Sequence, residues 1–259
     1  MTISHEAGNT TLERPTVVLL HSLGTDRTLW RHQVPALSPH YRVLTPESRG
    51  HGESPWFGSV SIDEWTADLR ALIEPLGAVH LVGLSMGGIQ SIAFAAAHPE
   101  LVRSVVIANS FARLPIDVAD ARVEASTRAV AEEGMAAFAK EYLDQTLTRE
   151  LDQADYAALL DSIAGVAPDA YLGSVEATFR ADVIPMLEKV TCPSMVVVGD
   201  RDAKIPAART AEIVDGLGGA PLEVIPDAGH LSCIENPTRF NQVIAGFLNL
   251  VDDNVSALR

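Results

Sequence analysis

Residues 79–90 read VHLVGLSMGGIQ. An apolar run carries the chain to Gly83, Ser85 then sits between Gly83 and Gly87, and a second apolar run starts at once. The pattern Gly83-Leu84-Ser85-Met86-Gly87 between a buried strand and a helix is that of a strand–turn–helix elbow. Such a turn is so tight that only hydrogens fit two residues on either side of the serine, which explains the glycines. The elbow stands the Ser85 hydroxyl up at the carboxyl end of a sheet. The helix N-terminus beneath it supplies backbone N–H groups and a partial positive charge. Ser85 is therefore the candidate nucleophile.

Working outward, six segments read as buried parallel strands: TVVLLHS (16–22), YRVLTPE (41–47), VHLVGLS (79–85), VRSVVIANS (102–110), SMVVVGD (194–200) and PLEVIPD (221–227). Each is short and continuously apolar rather than alternating, as strands covered by helices on both faces are. In SIDEWTADLRALIEPLG (61–77), Ser61 and Glu64 have capping-box spacing, Trp65, Leu69, Leu72 and Leu76 repeat along one helical face, and Gly77 ends the element. The segment MGGIQSIAFAAAHPE (86–100) is apolar nearly all round, as a helix deep against a sheet would be, and His98-Pro99 marks its end.

The alternation of strand and helix stops between Phe111 and about Lys189, where ARVEASTRAVAEEGMAAFAKEYL (121–143) and ADYAALLDSI (154–163) read as helices. The expected organisation is a core of residues 1–110 and 190–259, interrupted by a helical cap, 111–189, that roofs the strand ends. Repeats, low-complexity tracts and linkers are absent from the sequence.

Composition bounds the function. The chain has 259 residues, 47% of them apolar and 20% charged, and a formal net charge of −15. That charge argues against nucleic acid and anionic membrane surfaces as partners, since both need a basic footprint. No run of about 18 apolar residues exists to span a membrane. The polar start MTISHEAGNTTLERP lacks the form of a signal peptide, so the expected location is the cytoplasm. The two cysteines, Cys192 and Cys233, form no CxxC pair. They flank opposite ends of a strand, roughly 20 Å apart, and read as free thiols.

A serine hydroxyl needs a base to take its proton and an acid to orient that base. In chain order the base follows the last strand, and of eight histidines only His230, in PDAGHLSCIENP, does so. His5, His32, His40, His80 and His98 read as surface or structural residues. The acid follows the preceding strand, where SMVVVGDRDAKIP offers Asp200 and Asp202. The spacing from Gly199 selects Asp202, and Asp200 reads as a turn residue. An oxyanion hole completes the set, with the Met86 N–H as one donor and the Leu23 N–H, in the loop after the first listed strand, as the other.

With these parts in order, the chain resembles the α/β-hydrolase superfamily over nearly its whole length. The resemblance rests on HSLGTDRTLW (21–30), RGHGES (49–54), GLSMG (83–87), GDRDAKIP (199–206) and AGHLSCIENP (228–237). It implies a mostly parallel central sheet with helices on both faces and a helical cap inserted after the sixth strand of the usual fold. HSLGTD, GLSMGG and AGHLS together are most similar to 3-oxoadipate enol-lactonases and related serine esterases and lactonases, which act in aromatic catabolism. His21 and His51 match framework positions, His21 shaping the oxyanion loop and the Arg49–Gly52 turn buttressing it. Glu47 stands where the family commonly has aspartate, and the N-terminus is short for the usual leading hairpin. An enol-lactonase binds a carboxylated substrate, which points to Arg180, beside Phe179, as an anion anchor and to Tyr142 as the cap aromatic.

The expected reaction is hydrolysis of a small ester or lactone through an acyl-enzyme, with neither a metal nor an organic cofactor implied. Carbon–carbon hydrolysis and perhydrolysis use the same triad and stay open at this point, as does a ligand-sensing role for an intact triad. Oligomeric state is not legible in the sequence.

Overall fold

The computed structural model describes residues 5–7 and 14–257. Among them, seven strands form one sheet: β1 (His5–Ala7), β2 (Thr16–Leu20), β3 (Arg42–Pro46), β4 (Val79–Leu84), β5 (Val102–Ala108), β6 (Ser194–Gly199) and β7 (Leu222–Ile225). Their order is β1-β3-β2-β4-β5-β6-β7, with β1 antiparallel to β3 and all other pairs parallel. The helices are α1 (Gln33–Leu37), α2 (Ile62–Ile73), α3 (Met86–Ala97), α4 (Ile116–Thr146), α5 (Gln153–Ala164), α6 (Pro168–Phe179), α7 (Ile184–Leu187), α8 (Ala207–Gly216), α9 (Ser232–Glu235) and α10 (Pro237–Ala257).

The six segments read as strands are the six parallel strands, each ending one or two residues earlier than its apolar run. After β4, β5 and β7 the backbone gives a reason: Ser85, Asn109 and Asp227 take φ of 57°, 46° and 55° and so leave extended geometry. One expectation needs correcting. β7 is an edge strand and not a fully buried one, so Leu222 and Val224 on its outer face are each 48% exposed. At the other edge, the three-residue β1 is the one antiparallel strand among the described residues. The rest of the leader lies outside the described residues.

Successive strand residues alternate between two cores. Val17, Leu19, Val82, Leu84 and Val106 face α10, which contributes Phe240, Ile244 and Leu248. Val18, Leu20, Leu81, Val105 and Ile107 face α3, with Ile89, Ile92 and Phe94. Each such side chain removed from water contributes roughly 1.5–3 kcal/mol. On α2 the Ser61 hydroxyl accepts the Glu64 N–H at 3.2 Å. The buried stripe there is Trp65, Leu69 and Ile73, while Leu72 and Leu76 are only half-buried, because α2 stops at Ile73 and tightens into a turn that Gly77 closes at φ 76°.

Between β5 and β6 the chain is helical. α4 is broken at Gly134 (φ 74°, ψ 165°) into two arms, and the element packs with α5 and α6. α7 instead lies against α3 and α8 beside the sheet. From β2 the chain moves outward to β3, then returns across β2 to β4, whose Gly83 pairs with Leu20. Loops leaving β2 and β4 thus diverge and open a crevice at the strands' carboxyl ends. No helix among the described residues is long and apolar enough to cross a membrane.

Candidate active site

Ser85 stands in that crevice. β4 ends at Leu84 and α3 starts at Met86, so the serine alone makes the turn, at φ 57° and ψ −112°. Such a conformation costs a non-glycine residue on the order of 1–3 kcal/mol, and its surroundings must hold it. The Ser85 N–H donates to the Ala108 carbonyl at 2.9 Å, and the Ser85 carbonyl accepts the Ser110 hydroxyl at 2.7 Å. The flanking glycines are steric necessities. A Cβ on Gly83 would lie 2.1 Å from the Gly87 carbonyl oxygen, and one on Gly87 2.2 Å from that of Leu20.

The structure brings the three sequence-selected side chains together. Ser85 Oγ is 3.0 Å from His230 Nε2, and His230 Nδ1 is 3.0 Å from Asp202 Oδ2. An ionised carboxylate only accepts, so Asp202 fixes the proton on Nδ1 and leaves Nε2 to accept from the serine. Asp202 is itself anchored: the Lys204 and Ile205 N–H groups donate to Oδ1 at 2.9 and 3.2 Å, and the Asn109 amide donates to Oδ2 at 2.8 Å. Burial alone would raise the Asp202 pKa. The hydrogen bond and charge of His230, with the Asn109 and Lys204 donors, outweigh it and hold the carboxyl below its ordinary value. Asp200 is the turn residue: its carboxylate accepts the Ala228 N–H at 3.1 Å and ties down the loop leading to His230.

Two supporting residues were not found from the sequence. Asn109, at the end of β5, is oriented by the Ser232 hydroxyl, which donates to its Oδ1 at 2.5 Å. Buried Glu235 accepts the Leu231 N–H at 3.2 Å and both the N–H and hydroxyl of Thr148 at 2.9 and 2.6 Å, so it joins the His230 loop to the helical segment. The turn residues ANS (108–110) were the available signal for the first; nothing in the motif marks the second.

His21 and His51 occupy the framework. Backbone N–H groups of Ser48 and Gly24 donate to His21 Nε2 (2.9 Å) and His51 Nε2 (3.2 Å), so those nitrogens must be acceptors. The remaining Nδ1–H groups donate to the Ser22 and Arg49 carbonyls at 2.8 and 3.1 Å. Burial pushes both pKa values down, His51 to about 3, and the two rings stay neutral. They pin the loop that presents the Leu23 N–H. Arg49 in turn is gripped by Asp68 and Glu64. Met86 opens α3, so its N–H has no intrahelical acceptor. Among the described residues, neither it nor the Leu23 N–H donates to a protein acceptor. Two free donors beside a hydroxyl–imidazole pair can stabilise an oxyanion formed there.

A cavity of about 540 Å³ opens over Ser85, Leu23 and His230. Phe111, Phe138, Tyr142, Tyr171 and Phe179 supply its aromatic lining. Burial pushes the Tyr142 phenol up to about 12, so it is a neutral hydroxyl there. Arg180 does not reach this cavity. It follows the last turn of α6, one position past Phe179, and its half-exposed guanidinium pairs outside with Asp120 at 3.1 Å and Glu176 at 3.5 Å. The cations that do line the cavity are Arg122 and Lys204 on its wall and Arg128 at its exposed rim, none of them singled out by sequence motifs.

Residues 17–243 match the model of the Alpha/beta hydrolase family. The chain is 30% identical over 247 residues to 3-oxoadipate enol-lactonase 1 of Acinetobacter baylyi, covering 92% of this chain and 90% of that protein. Among solved structures it is similar to the enol-lactonase from Burkholderia xenovorans, with a TM-score of 0.87, 30% identity and 95% and 96% of the two chains covered. An esterase from Thermogutta terrifontis gives a TM-score of 0.85 at 28% identity, covering 96% and 93%.

Proposed function

The chain belongs to the Alpha/beta hydrolase family, and we propose that it is a serine hydrolase opening a small carboxylic ester or lactone through an acyl-enzyme. The observation that carries this reading is the Ser85–His230–Asp202 chain of 3.0 Å contacts beneath a 540 Å³ cavity. Similarity to enol-lactonases and esterases supports the substrate class.

As Ser85 Oγ attacks the acyl carbon, His230 Nε2 takes its proton and the carbonyl electrons move onto an oxygen held by the Leu23 and Met86 N–H groups. Each such donor is worth about 3–4 kcal/mol to the transition state. Asp202 stabilises the imidazolium. Collapse breaks the bond to the leaving oxygen, which receives the proton from His230. Water then gives a proton to His230, adds to the acyl carbon and releases the carboxylic acid, restoring Ser85. In an enol-lactone the leaving oxygen departs as an enol that tautomerises to a ketone, which makes ring opening effectively irreversible.

Wild type and Ser85→Ala, assayed side by side on enol-lactones, simple lactones and short aryl esters, test this. Turnover by wild type, reduced at least 10⁴-fold in the variant, is expected from the size of triad effects, on the order of 10⁴–10⁶. Fast opening of an enol-lactone supports the finer assignment, whereas turnover limited to simple esters discards it. Equal rates for both proteins overturn the serine mechanism.

A further inference from the structure

We infer that Glu235 is a positioning residue for His230, and that it holds the base in place only while the helical segment between β5 and β6 is seated on it. The inference rests on the hydrolase reading and adds a link between that segment and the triad.

His230 is fixed differently on its two sides. Upstream, the sheet holds the loop: the Ala228 N–H donates to the Asp200 carboxylate at 3.1 Å, and the Asn109 amide donates to the Gly229 carbonyl at 3.2 Å. Downstream, the Leu231 N–H donates to Glu235 Oε1 at 3.2 Å. Glu235 is 2% exposed, and among the described residues no cation pairs with its carboxylate. A carboxylate taken out of water is costly unless hydrogen bonds replace the water it has lost. Of the three that Glu235 receives, two come from a single residue, Thr148, whose N–H and hydroxyl donate to Oε2 at 2.9 and 2.6 Å.

Thr148 belongs to the helical segment, two residues past the end of α4, and the neighbouring Arg149 donates to the Glu235 carbonyl at 3.0 Å. Packing repeats the link. A Cβ on Gly229 would lie 2.5 Å from Thr148 Cγ2 and 3.0 Å from Glu235 Oε1, so both residues press on the backbone just before His230. The chain on either side of the base therefore meets the same pair.

Neither Glu235 nor Thr148 lines the cavity, so neither meets a substrate there. Their influence on the reaction has to pass through the loop. Thr148 is exposed, and where it withdraws, Oε2 turns to water. Water donates from any direction and fixes no orientation. A carboxylate with all its bonds made has one arrangement, and one that has lost two of three has several. The Leu231 N–H moves with it, and His230 is the next residue.

The test uses Glu235→Gln, Thr148→Val and Thr148→Ser, with kcat and KM on a short 4-nitrophenyl ester. Glutamine keeps the shape but turns a donor toward either Leu231 or Thr148. A fall in kcat of about 10- to 100-fold is expected, the range for a hydrogen bond to a charged group, with KM held. Thr148→Val, which removes only the hydroxyl donor, should lose about 3- to 10-fold, and Thr148→Ser should keep wild-type kcat. The proton NMR resonance of His230 Nδ1–H, downfield in wild type, should broaden or vanish in Glu235→Gln and persist in Thr148→Ser. A lower Tm with kcat and the resonance unchanged would reduce Glu235 to a structural contact and overturn the inference, as would equal losses in Thr148→Ser and Thr148→Val. If Glu235→Gln does not fold, the two Thr148 variants decide alone. The resonance needs no turnover, which separates the two readings. Its loss in Glu235→Gln and retention in Thr148→Ser support the positioning role even if wild type opens no ester. Wild-type turnover with kcat and resonance unchanged in every variant leaves the hydrolase and removes the role.

Discussion

The floor and the wall of the cavity treat buried polarity in opposite ways. On the floor, Asp202 accepts four hydrogen bonds, from His230, Asn109, Lys204 and Ile205, and both framework histidines have each ring nitrogen engaged. On the wall, the Thr178 hydroxyl is unpaired among the described residues, and Arg122 and Lys204 face aromatic rings rather than carboxylates. A saturated network has one arrangement and holds its atoms where chemistry needs them. Groups left unsaturated are complementary to something the protein does not itself supply. On the proposed reading the floor carries the reaction, while the wall is the part of the cavity left open to a ligand.

Breaking the floor should cost the most. Asp202→Asn keeps the shape but offers His230 an amide that can donate, so the imidazole is no longer held in its working tautomer. A fall in kcat of about 10⁴-fold is expected, by the size of that change in a serine protease triad. Steady-state kinetics on any accepted ester checks it, and it should appear equally on anionic and neutral substrates.

Asn109 sharpens the comparison within the floor, because it touches Asp202 and not the reacting atoms. Asn109→Leu removes one hydrogen bond to an ionised carboxylate and strands the Ser232 hydroxyl. A loss of about tenfold in kcat with KM held is expected. An unchanged kcat would mean that Asp202 is fixed by the Lys204 and Ile205 N–H groups alone.

The smallest effect concerns pH. The folded protein holds His21 and His51 neutral, with pKa values below the ordinary histidine value of about 6.5. The unfolded chain then binds more protons than the folded one as pH falls below about 6.5. Their contribution to stability is complete above that value and is lost progressively as pH falls toward about 3, the His51 value. Glu47, raised by burial, works in the opposite sense, its contribution fading as pH rises above the ordinary carboxylate range. Calorimetric Tm should fall by several degrees between pH 6.5 and 5. A flat Tm across that window would show that the two rings accept protons within the fold.

Legibility in the sequence follows the same division. The elbow could be read because Gly83 and Gly87 leave no space for a side chain, and a steric demand of that kind is written in residue type. Asp202 and His230 could be read because successive parallel strands deliver their loops to one end of the sheet in chain order. Asn109 could not, since an asparagine after a strand is common and its partners arrive from residues 202 and 232. On the wall, α4 carries charges on several faces, and only the packing of its two arms about Gly134 shows that Arg122 points inward. Arg180, expected as an anion anchor, lies outside the cavity, one position past the residue that lines it. Thr178 and Phe179 end α6 against the cavity, and a step of about 100° at the helix end turns Arg180 outward to Asp120 and Glu176.

The central claim is that an acyl group passes through Ser85. The most direct measurement is rapid acid quench of wild type with a 4-nitrophenyl ester, followed by intact mass and peptide mapping. The account predicts an added acyl mass on the peptide containing Ser85, absent from Ser85→Ala under the same conditions. An adduct on another residue, or full turnover by Ser85→Ala, would contradict it.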